Sequence, residues 1–429
     1  MFGSDDSKPT LGEVENAFQP AKEVRTPDRF AGREKAVEEA YYGLLTEGSN
    51  IAVVGNRGIG KSSLARQVLK MAQGDTELLE KYGYSIKERL DFLPIYFACD
   101  DSVSTTSDLL KRLLTSRSCL LDWIYDIPNA KQELDSLSSK LNLGVGSIGG
   151  DSTNKVEKKS AVSSHSIDTV FLNVLRSIVN SGVSENGILI VVDEFDQIDD
   201  PSGFSKLLKS IATNVPNVKF VVVGVAQDIR NLIDEHKSAD RLFAGSIVKL
   251  DSMEDDELGE IIDIAEDSID GYIEFSEEGK KQIVSLAQGH PYMVHLVGKY
   301  ALRIAFREDR QTVNLEEVND ALEAIAERGA DPLLEGRYKK AVQSSSQRET
   351  VLRAMAAHQA KDGEIWTTDA YKLALDNGVD NASQYVGQLV TEDYGAELAK
   401  VRDRYYRFKD SLFAAYVEAR PRVFDNEDN

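Results

Sequence analysis

The run Gly55-Asn56-Arg57-Gly58-Ile59-Gly60-Lys61-Ser62 constrains this chain more than any other feature. It satisfies G-x-x-x-x-G-K-[ST] and stands between an apolar run, Ile51–Val54, and a stretch of helical periodicity, Ser63–Met71. That strand-loop-helix context gives the pattern its meaning. Glycines let backbone N–H groups close around phosphate oxygens, and the helix N-terminus adds a favourable dipole. Lys61 would neutralise β- and γ-phosphate charge, and Ser62 would offer its hydroxyl to Mg2+. Gly55 through Ser62, with Ser63, are therefore the first candidate ligands of ATP.

The rest of the N-terminal half fits a sheet around that loop. Apolar runs recur at Phe92–Ala98, Ile188–Val192 and Phe220–Val223, and helical stretches lie at Glu34–Leu45, Asp108–Leu114 and Val170–Val179. Strands alternating with helices, and apolar throughout, predict an α/β fold: a parallel sheet with helices on both faces. Ile188–Val192 runs into Asp193-Glu194. A carboxylate at a strand tip beside a phosphate loop suits Mg2+, and its neighbour suits a water in line with the γ-phosphate. Asp193 is assigned to the metal and Glu194 to the water. Asp196, Asp199 and Asp200, in the following loop, read as solvated charges and are assigned nothing.

Past residue 250 helices dominate. Ser252 with Asp255 has the capping-box pattern for a helix Glu254–Ile264, and Ser276 suits the cap of Glu277–Gln288. Gly289 stops that helix, and Pro291 fits the first turn of the next. Residues 251–279 carry 13 acidic side chains and no basic one, which reads as a solvated helix face or, as the alternative, a dock for a basic partner. From Ser346 the order is helix Arg348–His358, a strand at Ile365–Thr367, helices Asp369–Asp376 and Ala382–Thr391, then a hairpin of Ala396–Val401 and Tyr405–Phe408. This order predicts a winged-helix-like module. The expected organisation is a flexible arm (1–20), a nucleotide-binding core (21–250) with a flexible insertion at 141–164, a helical lid (251–345), the winged-helix-like module (346–420) and a tail (421–429).

Composition narrows the partners. A net charge of −22 argues against a general coat for polyanions, since such binding rests on many Lys and Arg contacts to phosphate. A local basic cluster remains on the presumed wing: Lys400, Arg402, Arg404, Arg407 and Lys409, beside Tyr405, Tyr406 and Phe408. It suits contact with a DNA backbone, or simply alternation of core-facing rings with water-facing charges. The two cysteines, Cys99 and Cys119, have neither disulfide nor zinc spacing and read as buried apolar side chains. Residues Met1–Asp6 lack a basic segment leading into an apolar one, and no run approaches the ~18 apolar residues of a membrane helix. A cytoplasmic protein with no membrane contact is expected.

The phosphate loop, the strand ending in Asp193-Glu194 and the segment Phe30-Ala31-Gly32-Arg33-Glu34 together resemble the AAA+ and STAND ATPases, near the origin-recognition-type branch. The resemblance implies that Phe30 and Arg33 lie near the adenine, that Gln227 follows the sensor strand, and that Arg241 reaches a neighbour's γ-phosphate, with Arg230 as its rival. Gly289-His290-Pro291 is similar to the lid element of STAND proteins, which implies His290 and Pro291 against the nucleotide. Arg404-Tyr405-Tyr406-Arg407-Phe408-Lys409-Asp410-Ser411-Leu412-Phe413 looks like the ending of their winged-helix domains, where the wing packs on the helix carrying Leu412, Phe413 and Tyr416. The function so implied is that of an Mg-dependent ATPase that switches between ATP and ADP states and signals to a protein partner or its own oligomer. The alternative is an ATP-dependent DNA-binding initiator or loader.

Overall fold

The computed structural model describes residues 8–141, 164–225, 240–243, 246–360 and 363–424. Five strands, β1 (Ile51–Gly55), β2 (Phe92–Ala98), β3 (Gly187–Asp193), β4 (Val218–Gly224) and β5 (Ile247–Leu250), form one sheet in the order β2-β3-β4-β1-β5, and every pairing is parallel. Alternation along β3 divides the core in two. Ile188, Ile190 and Val192 pack with Leu109, Phe171 and Phe204, whereas Leu189 and Val191 pack with Val37, Leu64 and Val68. Both faces are covered by helices, so β3 is buried along its whole length. That is why it reads as an unbroken apolar run.

β5 gives no such run. Ile247 and Lys249 are exposed while Val248 and Leu250 are buried, the half-apolar pattern of an edge strand. Because the sheet is parallel, the ends of β1 and β3 open on the same edge, with β4 between them. This is the crevice where such sheets place their ligands. The expected insertion lies, between residues 142 and 163, outside the described residues.

Four helices follow the sheet: Asp255–Asp267, Glu277–Ala287, Pro291–Arg307 and Leu315–Arg328, joined by a two-residue parallel pair, β6 (Glu274–Phe275) with β7 (Thr312–Val313). Ser276 caps its helix as predicted, accepting from Gly279 N–H at 3.2 Å. The first cap is different. Glu254 and Glu257 form the capping box, not Ser252 and Asp255, because Met253 N–H is already bonded to Gly289 O at 2.9 Å and this holds the chain extended one residue further.

Residues 8–20 correct the expectation of a loose arm. Thr10 and Glu13 close a capping box on a helix, Leu11–Ala17. Beyond that helix Phe18 is completely buried, its ring centroid 5.8 Å from that of Phe275. Gly298 makes room for the ring: a β-carbon there would come within 2.6 Å of it. Glu15 is paired with Arg303 and Lys299. A short polar segment carries one large apolar anchor, and that anchor decides its position.

The C-terminal part has helices Ser346–Ala357, Thr367–Asp376 and Ala382–Leu389, and an antiparallel sheet of β8 (Ile365–Trp366), β10 (Tyr405–Phe408) and β9 (Leu398–Arg402) in that order. It ends in helix Ser411–Ala419, where Phe413 lies against Phe408 with centroids 6.2 Å apart. Helix Pro332–Val342 joins this part to the four helices before it. Its buried Glu335 accepts from Arg420 at 2.8 and 2.9 Å and from Tyr416 at 2.8 Å. Such a paired, fully bonded charge locks one geometry, since removing one partner strands the other in low dielectric. Both cysteines are buried, and burial pushes Cys99 up to about 12 and Cys119 up to about 11.

Candidate functional site

The loop between β1 and helix Lys61–Ala72 depends on two left-handed glycines. Gly58 has φ 70° and Gly60, which caps the helix, has φ 100°. Neither suits a side chain. The loop therefore presents backbone N–H groups at a helix start, with Lys61 Nζ bonded to Asn56 O at 2.9 Å. Burial lowers the Lys61 ammonium, opposed by the charges of Asp196, Asp193 and Glu194.

A cleft of about 310 Å³ opens beside this loop. Gly58, Ile59, Gly60, Lys61, Ser62 and Ser63 line one side. Phe30 and Arg33 stand in its wall, as does Pro291. Arg33 adopts the left-handed region at φ 66° and bridges two elements, donating to Asp251 O at 2.5 Å and to Ile59 O at 3.0 Å. The acidic helix grips the same turn: Glu260 accepts from Gly32 N–H at 2.8 Å, and Glu257 from Arg33 N–H at 2.5 Å. Part of the acidic stretch is thus an internal clamp and not a solvated face.

At the end of β3, Asp193 is 3% exposed. Its Oδ1 accepts from Glu194 N–H at 2.8 Å, and its Oδ2 from the hydroxyl of Tyr96. Glu194 turns off the strand with φ 53°, a conformation non-glycine residues hold mainly where the surroundings demand it. Burial raises its carboxyl, and the charges of Asp193 and Asp196 add to the rise. Ser62 and Asp193 are hard oxygen donors. Among the described residues no group of three or more His, Cys, Asp or Glu side chains is placed to hold a metal. Two protein oxygens completed by water and phosphate is the donor set Mg2+ takes, so these residues fit it.

Other expectations meet a different arrangement. Ser63 Oγ accepts from Val24 N–H at 3.0 Å and so holds the chain that walls the cleft. Gly55 ends β1, where a β-carbon would come within 2.8 Å of Leu250 O. Asn56 and Arg57 are exposed at the tip. The Asn56 amide donates to Ser411 Oγ at 3.0 Å, and Arg57 acts on the Glu194 carboxyl. His290 does not line the cleft. It is 1% exposed, its Nδ1 has no hydrogen-bond partner among the described residues, and burial takes it down to about 4, with Asp410 and Arg33 as its charged neighbours. It is the N-cap residue of the helix that Pro291 begins, and the wall falls instead to Pro291, Tyr292 and His295. Gln227 and Arg230 lie outside the described residues. Arg241 sits in the turn Asp240–Phe243, and its side chain is outside the described ones.

Sequence reasoning missed Tyr292, His295, the wall Gln19–Val24 and the charge of Asp196 on Lys61. Tyr292 and His295 lie on the same helix as the expected Pro291, His295 at the spacing of four residues that shares a face with it. The wall has no motif at all. In the C-terminal part, Arg402 pairs with Glu364 at 2.6 Å and Lys400 with Asp403 at 3.7 Å. Arg404, Arg407 and Lys409 are exposed.

A glycine loop at the end of the second-to-last strand of a five-stranded parallel sheet, with an acidic pair two strands away, defines a P-loop nucleotide-binding fold. Residues 29–223 match the AAA ATPase domain family. The chain is similar in fold to a Walker-type ATPase of Pyrococcus abyssi, at 16% identity and TM-score 0.53, over 92% of this chain and 98% of that one. It is also similar to the ORC1 protein of Aeropyrum pernix, solved in complex with DNA (15% identity, TM-score 0.48, 94% and 95% covered), and to Cdc6p from Pyrobaculum aerophilum (12%, 0.44, 94% and 96%). No curated protein matches the chain. Among the described residues no helix is long and apolar enough to cross a membrane.

Proposed function

We propose that this protein is an ATP-hydrolysing switch that relays its nucleotide state to its C-terminal module. In this reading Lys61, Ser62 and Asp193 hold Mg-ATP and Glu194 polarises the attacking water. Mg2+, when bound, neutralises charge on the β- and γ-phosphates. The observation that carries the reading is a closed path of contacts. Tyr292 in the cleft wall donates to Asp331 at 2.6 Å, and Asp331 caps helix Pro332–Val342. Arg337 of that helix donates to Asp410 at 2.6 Å, and Asp410 caps helix Ser411–Ala419. The first turn of that last helix returns to the loop: Ser411 meets Asn56, and Leu412 lies where a β-carbon on Gly58 would come within 2.9 Å. A change at the phosphates therefore bears on the C-terminal module from two sides.

The test is steady-state ATP hydrolysis across a series of protein concentrations, with and without duplex DNA, at one fixed salt. Slow turnover indifferent to both supports a switch that answers to a protein partner. Specific activity that rises with concentration supports a residue supplied in trans, the role expected of Arg241. Stimulation by DNA supports the loader reading, which the exposed Arg404, Arg407 and Lys409 favour.

A further inference from the structure

Asp193 is held by a residue that no motif announces. Tyr96 lies on β2, two residues before Ala98, which pairs with Asp193. In a parallel sheet paired residues share a face and alternate residues share it too, so Tyr96 and Asp193 emerge on the same side, towards helix Lys61–Ala72. There the Tyr96 hydroxyl donates to Asp193 Oδ2 while Glu194 N–H donates to Oδ1. An aspartate carboxyl turns easily about its last torsion. With one donor on each oxygen its plane is fixed. A carboxylate offers about four acceptor sites, so lone pairs remain for a metal or its water.

Tyr96 is itself held. The Arg66 guanidinium stacks on its ring, 3.3 Å from the centroid, and bonds to Glu23 Oε1 at 2.9 and 3.1 Å. Glu23 and Val24 belong to the cleft wall, and Val24 is tied to the same helix through Ser63 and Gln67. A phenylalanine would pack on this strand equally well. Placing a hydroxyl in a half-buried site is unfavourable unless it is bonded, and the bond it makes is to the metal-side carboxylate.

We propose that Tyr96 is a positioning residue that orients Asp193 for the Mg2+ of a bound nucleotide, and that Arg66 and Glu23 hold Tyr96 in place. The assignment rests on the Mg-nucleotide reading above. It makes the wall of the cleft and its metal side one connected unit, Glu23–Arg66–Tyr96–Asp193. Outer groups that orient a ligand typically change metal affinity by about 10- to 100-fold when removed.

The test titrates Mg2+ into the full chain with a fluorescent ATP analogue bound, and measures analogue affinity separately in EDTA. Tyr96→Phe is expected to leave the EDTA affinity within about twofold and to raise the half-saturating Mg2+ concentration roughly tenfold. A Tyr96 that only packs would move neither. If wild type responds to Mg2+ and Tyr96→Phe responds at the same concentration, the assignment is overturned alone. If wild-type affinity ignores Mg2+, the Mg-nucleotide reading fails and the assignment falls with it. Should Tyr96→Phe not fold, Arg66→Met carries the same titration: a raised half-saturation supports the assignment and an unchanged one overturns it.

Discussion

The amide of Asn56 and the hydroxyl of Ser411 meet at 3.0 Å, which puts the tip of the phosphate loop in contact with a helix 355 residues further along the chain. A neutral hydrogen bond of this kind contributes about 0.5–1.5 kcal/mol. Ser411→Ala is therefore expected to speed release of a fluorescent ADP analogue by roughly two- to tenfold, with the melting temperature little changed. Stopped-flow chase with unlabelled ADP reads it. An unchanged rate would detach the C-terminal helix from nucleotide exchange.

Lys61→Ala is expected to abolish ATP binding. Glu194→Gln is expected to bind ATP and turn it over at least about tenfold more slowly, because an activating group usually contributes ~10²-fold or more. Equilibrium binding and phosphate release separate the two effects. Hydrolysis at the wild-type rate in Glu194→Gln removes its assigned role.

The N-terminal helix gives a third test. Phe18→Ala empties a site closed on all sides, and such truncations cost about 3–5 kcal/mol. Since Gln19–Val24 wall the cleft, the expected result is a lower denaturation midpoint together with weaker nucleotide binding. Loss of stability with affinity intact would show that the wall is held without its anchor.

Two histidines, one buried and one partly buried in the cleft wall, predict a dependence on pH. Burial brings His290 and His295 to about 4, and Gln19 N–H donates to His295 Nδ1 at 3.4 Å, which needs the neutral ring. In the unfolded chain each takes up a proton near pH 6.5, which the folded chain refuses until about 4. Stability is therefore complete above about 6.5 and falls as the pH drops from there towards about 4, by up to ~1.4 kcal/mol per pH unit for each histidine. Urea midpoints at about pH 7 and about pH 5 measure the slope, which the double variant His290→Gln, His295→Gln should flatten. Glu15 and Glu335, held low, add to the loss only at more acid pH.

Much of the fold is legible in the sequence because apolar runs mark the strands: Phe92–Ala98 forms the predicted strand residue for residue, as does Glu34–Leu45 the predicted helix. β5 escapes because only its Val248 and Leu250 are buried while Ile247 and Lys249 are exposed, which leaves no apolar run. The loop and the acidic pair are legible because their chemistry fixes spacing along the chain. Tyr292, His295 and Tyr96 are not, since tertiary packing puts the first two in the cleft wall and Tyr96 on Asp193; only the spacing of four from Pro291 marks His295. His290 misleads for the opposite reason: its neighbours resemble a lid element, but its ring is buried and does not line the cleft.

The path from Tyr292 through Asp331, Arg337 and Asp410 back to the phosphate loop has a thermodynamic corollary. Coupling between two binding events is reciprocal. If nucleotide alters how firmly the last helix sits on Asn56 and Gly58, then whatever captures that helix away from the loop must alter nucleotide affinity by the same factor. A partner of the C-terminal module would act as an exchange factor without touching the nucleotide.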